Sequence, residues 1–315
     1  MFLQKNANLH ERKYIVDEVE LYLEDLKSKF DKIKPKEYYL SYSGGRDSHL
    51  LYWFIKEYLK NNDIEIVSSL TPFEHTEIRN RILNNADTIL HPTKKPYQIK
   101  EEYGIPCFTK MQDQFIYEYR KNLAKGIKDE DMPNYIHLYI FRDVNYSPKK
   151  LNRLPYAALP NRAYNLLFSG KLHKVSKYCC SFMKKEPAKI YDKETGKKPI
   201  LGIMSGESIY RSNMIKTCFN KTGDFYPIHD LTRDLRNKIE EKYGIEVPLV
   251  YQHVNQTGCA GCPYGIRLRG NNEGVKKEIE LLSENKKKFV LDYFYESYRA
   301  KNFNYFFEDK SDILE

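Results

Sequence analysis

The 315-residue sequence predicts an α/β fold, a parallel sheet flanked by helices with a helical C-terminal portion, on three observations. Short apolar runs alternate with amphipathic stretches of three-to-four-residue period. The apolar run at 38–42 ends in a double glycine that opens a helical pattern. The chain after 273 shows helical spacing throughout. Strands that alternate with helices need crossover connections, and crossovers give parallel pairing.

In "ERKYIVDEVELYLEDLKSKFDKI" (11–33), Ile15, Val19, Tyr22, Leu26, Phe30 and Ile33 recur three or four apart, which predicts an amphipathic helix closed by Pro35. A buried strand follows at 38–42, then the glycine turn, then a helix over 47–59. "IEIVSSL" (64–70) reads as the second strand, "EHTEIRNRILNN" as its helix and "ADTILHP" (86–92) as a third strand. From about 120 to 165 the pattern is irregular and rich in Tyr, Asn and Pro, as an insertion would be. "KPILGIMSGES" (198–208) restores strand, turn and helix start, and "LTRDLRNKIEEKYG" (231–244) is a helix ended by Gly244. The tail after 273 is expected to form two short helices. This divides the chain into an N-terminal helix (1–36), a nucleotide-binding domain (37–265, with the insertion) and a helical tail (266–315).

Charged residues make up 30% of the chain and mean hydropathy is −0.69. No run reaches the roughly 18 apolar residues of a membrane helix, and the N-terminus is charged too early for a signal-peptide core. The expectation is a cytoplasmic protein that does not engage a membrane. Net charge is +9, compatible with polyanionic partners and equally with a lysine-rich composition. Six cysteines in such a chain do not suggest a disulfide framework.

In "SGGRDS" (43–48), Gly44 and Gly45 permit backbone geometry in which successive N–H groups converge on one anion. The helix start behind them adds the positive end of its dipole. Ser43 and Ser48 offer hydroxyls to phosphate oxygens, and Asp47 either caps the helix or holds a Mg²⁺ that bridges phosphates. The string is not the Walker loop, which requires a Gly-Lys-Ser/Thr ending. An ordinary glycine-rich turn with an Asp cap is the plainer reading. In "GESIYRS", Glu207 and Arg211 are four apart and share a helix face. Arg211 can there fork onto phosphate oxygens, or simply form a surface ion pair.

Cys179 and Cys180 are adjacent, and Cys259 and Cys262 form a Cys-x-x-Cys after 78 intervening residues. Alone, that second pair reads as half a zinc site, a redox pair or half an iron–sulfur site. Unrelated buried cysteines are the plain alternative. Cys107 and Cys218 lack partners at useful spacing and are expected as core thiols.

Taken in order, "SGGRDS", "TPFEHTEIR" (71–79), "EEYGIPCFTK" (101–110), "GIMSGESIYRS" (202–212) and "PIHDLTRDL" (227–235) resemble the phosphoadenosine phosphosulfate (PAPS) reductase family. That family lies within the adenine nucleotide α-hydrolase superfamily of PP-loop ATP pyrophosphatases. The resemblance runs from about 38 to 265, interrupted by the insertion, and implies a Rossmann-like, adenine nucleotide α-hydrolase-like fold. It implies that Ser43, Gly44, Gly45, Arg46, Asp47, Ser48, Glu207, Ser208 and Arg211 bind the nucleotide, with Asp47, Lys184 and Arg211 catalytic.

Adjacent cysteines plus a distant Cys-x-x-Cys resemble the [4Fe–4S] ligand set of adenylylsulfate (APS) reductases, which makes Cys179, Cys180, Cys259 and Cys262 its ligands. Nine lysines against three acidic residues between 171 and 198 would offset a cluster's negative charge. Lys184 stands where the family has a basic residue near cluster and substrate. Gly258, Gly261 and Gly265 would let backbone N–H groups approach the sulfurs.

Two departures from the reductases shape the functional expectation. Their tail carries a nucleophilic Cys, whereas "YFFEDKSDILE" has none and nothing after Cys262 is a Cys. The loop keeps the form that ATP pyrophosphatases use. The expectation is therefore adenylation of an acceptor from ATP with Mg²⁺, pyrophosphate release and cluster-dependent sulfur transfer. A sulfur-donor protein or small thiol supplies the sulfur. Family members that thiolate DNA pair an intact loop with a cluster, which points to a nucleic-acid acceptor; a small-molecule acceptor stays open. The alternatives are an APS or PAPS reductase using an external thiol, and a non-catalytic nucleotide- and cluster-binding regulator.

Overall fold

The computed structural model describes residues 17–147, 154–155, 157–207, 211, 213, 215–254, 258–268 and 271–307. Its centre is a four-stranded parallel sheet in the order β3-β2-β1-β4, with β1 Tyr38–Ser41, β2 Glu65–Ser69, β3 Thr88–Leu90 and β4 Lys198–Ile200. Tyr38 pairs with Lys198 and Leu40 with Ile200, while Val67 pairs with Thr88 and Ser69 with Leu90. Helices flank it, as the sequence predicts. In chain order they include α1 Glu18–Phe30, α2 Arg46–Trp53, α3 Thr76–Asn85, α4 Pro96–Glu102, α5 Lys110–Leu123, α6 Asn134–Tyr139, α7 Asn161–Phe168, α8 Tyr178–Cys180, α9 Glu186–Thr195, α10 Arg233–Tyr243, α11 Glu273–Glu280 and α12 Glu284–Ala300.

Two compact units share the chain, interleaved in sequence: one holds residues up to Ser41, Arg46–Glu65 and Lys197–Val247, the other Tyr42–Gly45, Ile66–Gly196 and the chain from Pro248. The first unit buries Val19, Leu23, Leu26 and Phe30 of α1. The Phe30 ring meets those of Phe54 and Phe225, each with centroids 5.3 Å apart. Asp17 caps α1 by accepting from the Val19 N–H at 3.0 Å; residues 11–16 of the expected helix lie outside the described residues. Thr232 caps α10 by accepting from Leu235 N–H at 3.2 Å, and Gly244 ends it at φ +62°.

The second unit has two apolar cores. One packs Phe73, Met183, Ile279, Phe294 and Tyr298; the other packs Phe108, Ile116, Ile136, Ala163 and Leu166.

Several boundaries differ from expectation. The helix expected to run regularly to Leu59 widens over Phe54–Tyr58, where the Leu59 N–H reaches the Phe54 carbonyl at 2.8 Å. The stacked Phe54 and Tyr58 rings, 5.1 Å apart, occupy that wider turn. The region expected as an irregular insertion from 120 starts inside α5 and contains α6, because Ile116, Tyr119 and Ile136 have a core to bury against. Residues 148–153 and 156 of it lie outside the described residues. The second tail helix, α12, is 17 residues long rather than short, since it buries a stripe from Val290 to Ala300. Among the described residues no helix is long and apolar enough to cross a membrane.

Candidate functional site

β1 delivers the chain into the glycine turn. Tyr42 extends the strand pairing through its N–H to the Val67 carbonyl at 2.8 Å. Gly44 then takes φ +70°, and a Cβ there would lie 3.0 Å from the Ile78 carbonyl oxygen and from side-chain carbons of Ile78 and Ile82. Glycine is therefore required twice, by backbone conformation and by the close approach of α3. The Gly45 N–H points to Ser43 Oγ at 3.4 Å. Ser43 is exposed, whereas Ser48 is buried.

α2 begins at Arg46, so Asp47 lies inside its first turn rather than at the cap, with its charge at the positive end of the helix dipole. Its Oδ1 accepts from Arg236 Nη1 at 2.6 Å. Arg46, expected on the nucleotide, pairs with Glu240 and donates to Asn237 Oδ1 at 2.8 Å. α10 thus grips both charged residues of the turn. Arg236 is only 6% exposed, and its Nε is buried without a hydrogen-bond partner.

Gly202, after β4, leaves room for the same turn: a Cβ there would sit 2.9 Å from the Ser48 nitrogen. Arg211 lies within range of the Asp47 charge; burial lowers its pKa and Asp47 opposes that. Glu207 ends a short helical turn, Ser205–Glu207. Ser208 lies outside the described residues.

The cysteine centre is built from α8 and the turn before α11. Cys179 and Cys180 end α8, which widens over Ser181–Lys185 before α9. Such wide turns recur at functional sites. Cys262 N–H donates to the Cys259 carbonyl at 3.1 Å, and the Ala260 N–H to Phe73 at 2.6 Å. Gly261 holds φ +64°, and a Cβ there would lie 2.5 Å from Val290 Cγ1 and 2.6 Å from Tyr298 Oη. Tyr298 donates to the Gly261 carbonyl at 2.6 Å. Of the three glycines expected to serve this turn, only Gly261 is so constrained; a Cβ on Gly258 would meet nothing within 4 Å.

The four sulfurs share one electrostatic neighbourhood. Burial, then the charges of Cys259, Cys180 and Cys262, push the Cys179 thiol well above its usual range. Burial raises Cys259 to about 11, against the pull of Lys184. Cys262 is raised by burial and by Cys259. Cys107 is buried, as expected. Cys218 is not a core thiol: it is partly exposed, with its sulfur 3.8 Å from His229 Nδ1.

Lys184 joins this centre. Its Nζ lies 2.8 Å from Glu74 Oε1. Burial opposes the ammonium charge, but Cys259 and Glu74 outweigh it and raise the pKa. Glu74 is 2% exposed and also accepts from Thr71 Oγ1 at 3.0 Å. Glu74 and Arg236 are the partners that sequence reasoning missed. Both lie in stretches already singled out, and nothing in spacing alone distinguishes them from neighbouring charges.

Below the turn, Asp113 is fully buried and accepts the Cys107 and Phe108 N–H groups at 2.6 and 3.0 Å. Burial against those bonds raises its pKa to about 6. Tyr264, two residues from Cys262, hydrogen-bonds the same carboxyl.

The donor set suits an iron–sulfur cube. The Cys179, Cys259 and Cys262 thiols are held above their usual range, and cationic iron is what would hold them as thiolates. Among the described residues no three His, Cys, Asp or Glu groups converge on one point as ligands of a single metal ion would. A cube takes its thiolates at separate irons, so its ligands stand apart. For Mg²⁺, Asp47 is the carboxylate at hand, shared with Arg236.

No protein-family model, no curated protein and no solved structure matches the chain.

Proposed function

We propose that the chain is an ATP pyrophosphatase and sulfurtransferase of the PAPS reductase kind, adenylating an acceptor and replacing the adenylate with sulfur. The observation that carries this reading is that one chain holds both an intact Ser-Gly-Gly-x-Asp-Ser turn and, elsewhere, four cysteines that act on one another's charge and on Lys184.

In this mechanism an acceptor oxygen attacks the α-phosphorus of ATP and pyrophosphate leaves. The N–H groups of the glycine turn, the first turn of α2 and Arg211 take up the charge on the leaving group. Asp47 would hold Mg²⁺, which when bound neutralises phosphate charge, and Arg236 keeps that carboxylate oriented. Cys179, Cys180, Cys259 and Cys262 would hold a [4Fe–4S] cluster, which when bound would supply Lewis-acidic iron for sulfide. Lys184, oriented by Glu74, places positive charge beside Cys180 and Cys259. Sulfur at the sulfide level then displaces AMP from the acceptor. A nucleic-acid acceptor fits the net charge of +9.

The test is calorimetric titration of anaerobically purified protein with Mg–ATP, APS and PAPS. Micromolar binding of ATP alone, lost in Gly44→Val, is the expected result. Preference for APS or PAPS would replace this reading with a reductase that borrows an external thiol. Tight nucleotide binding with no turnover on any acceptor would favour a regulator.

A further inference from the structure

Lys301 closes α12, its N–H donating to the Ser297 carbonyl at 3.1 Å. A cation at a helix C-terminus is ordinary, because it meets the negative end of the dipole. The Lys301 ammonium goes elsewhere. The residue is 3% exposed, and Nζ donates to the carbonyls of Phe108 at 3.1 Å and of Pro263 at 2.8 Å.

Pro263 is the residue after Cys262. Tyr298 holds the carbonyl of Gly261, the residue before it, and Asp113 holds the hydroxyl of Tyr264. Three buried side chains thus grip the chain on both sides of one cysteine. A clip on two carbonyls needs only a donor, which a neutral amide supplies without burying a charge. Here the donor is an ammonium. Burial lowers its pKa, while Cys107, Asp113 and Cys262 act to keep it charged. Both of its acceptors are neutral carbonyls, which orient the charge without cancelling it. Lys184 differs, since it has the Glu74 carboxylate at 2.8 Å.

We propose that Lys301 is a positioning residue of the cysteine centre: it fixes the turn at Pro263 and sets a permanent positive charge beside Cys262, which raises the reduction potential of a cluster bound there. This rests on the cluster reading given above. One-electron reduction adds a negative charge to a four-thiolate cluster, so a fixed cation nearby favours the reduced form. The same field favours an anion such as sulfide arriving at the iron.

The test uses the full chain, reconstituted without oxygen and titrated at about pH 8, where Asp113, at about 6, is ionised. Dithionite and then Eu(II) supply the electron, EPR follows the reduced cluster, and iron and sulfide are counted. Lys301→Gln, which can still donate to both carbonyls, is expected to keep its iron and to shift the reduction equilibrium about tenfold towards the oxidised form, a fall of about 59 mV for one electron. Asp113→Asn removes the opposite charge and should move the potential upwards. A clip with no electrical role would leave both variants at the wild-type potential, and that result overturns the proposal. A shift of both in the same direction overturns it too, as does a wild-type cluster that Eu(II) cannot reduce. A wild-type chain that binds no iron overturns the cluster reading and this proposal with it, and the iron count tells that case from the others. If Lys301→Gln fails to fold or to hold iron, Asp113→Asn decides alone.

Discussion

The glycine turn takes its shape from six consecutive residues, 43–48, and is then steadied by charges from far along the chain. The cysteine centre has no such local core. Cys179 and Cys180 must meet Cys259 and Cys262 across 78 intervening residues, and the packing around them comes from α12, with Tyr293 and Tyr298, and from Phe73 in the turn before α3. The difference teaches where each site is vulnerable. The turn fails through backbone conformation and the loss of single ion pairs. The cysteine centre fails through packing.

The sharpest contrast comes from two glycines of the same segment. Gly261→Ala puts a methyl group 2.5 Å from Val290 and into the Tyr298 hydroxyl at a positive φ. A loss of about 3 kcal/mol or more is expected, read by denaturant unfolding, and with it, on the proposed function, the loss of any bound iron. Next comes the ion pair under the turn. Arg236→Met strands the Asp47 carboxylate, while Glu240 keeps Arg46, and should cost about 2–3 kcal/mol. Adding Asp47→Asn should restore part of it, and an additive double mutant would sever the proposed link between α10 and the turn.

Gly44→Ala is expected to cost about 1–3 kcal/mol from its φ of +70° and its 3.0 Å contacts; on the proposed function it also abolishes ATP binding while iron content stays intact. Loss of both together would show that the two sites are not separable.

A pH titration tests the packing around α12. Burial, aided by Arg120 and Lys100 against Glu296, lowers His173 from 6.5 to about 4. The folded chain therefore keeps the imidazole neutral while the unfolded chain takes up a proton. The contribution is complete above about pH 6.5 and is lost as pH falls towards 4. His173→Gln, which can still donate to Ser297, should flatten that part of the stability profile. The smallest effect belongs to Gly258→Ala, expected within about 0.5 kcal/mol because nothing lies within 4 Å of the added carbon.

Legibility in the sequence followed the same divide. The sheet, α1, α10 and the glycine turn were readable because each is written in residues a few positions apart: an apolar run, a 3.6-residue period, a Thr cap, a closing glycine. The widened turns at Phe54–Tyr58 and Ser181–Lys185 were not, because periodicity over five residues cannot tell 3.6 residues per turn from slightly more. Adjacency of Arg46 to the glycines is visible in sequence, and its pairing with Glu240 is not. Glu74 lay in a quoted motif, yet its partner Lys184 is more than a hundred residues away. Long-range pairing of charges is set by packing, which no local pattern encodes.

Three consecutive residues of α12 serve three different neighbours. Ser297 ties down Pro106, Tyr298 holds the Gly261 carbonyl and Arg299 lines a cavity with Leu166 and Leu172. Each step along a helix turns the side chain by about 100°. Deleting one residue anywhere between Glu284 and Tyr293 would keep the helix and its composition but rotate all three out of place at once. α12 should therefore tolerate many substitutions on its exposed side and no change of length, so insertions and deletions among natural variants should fall outside it.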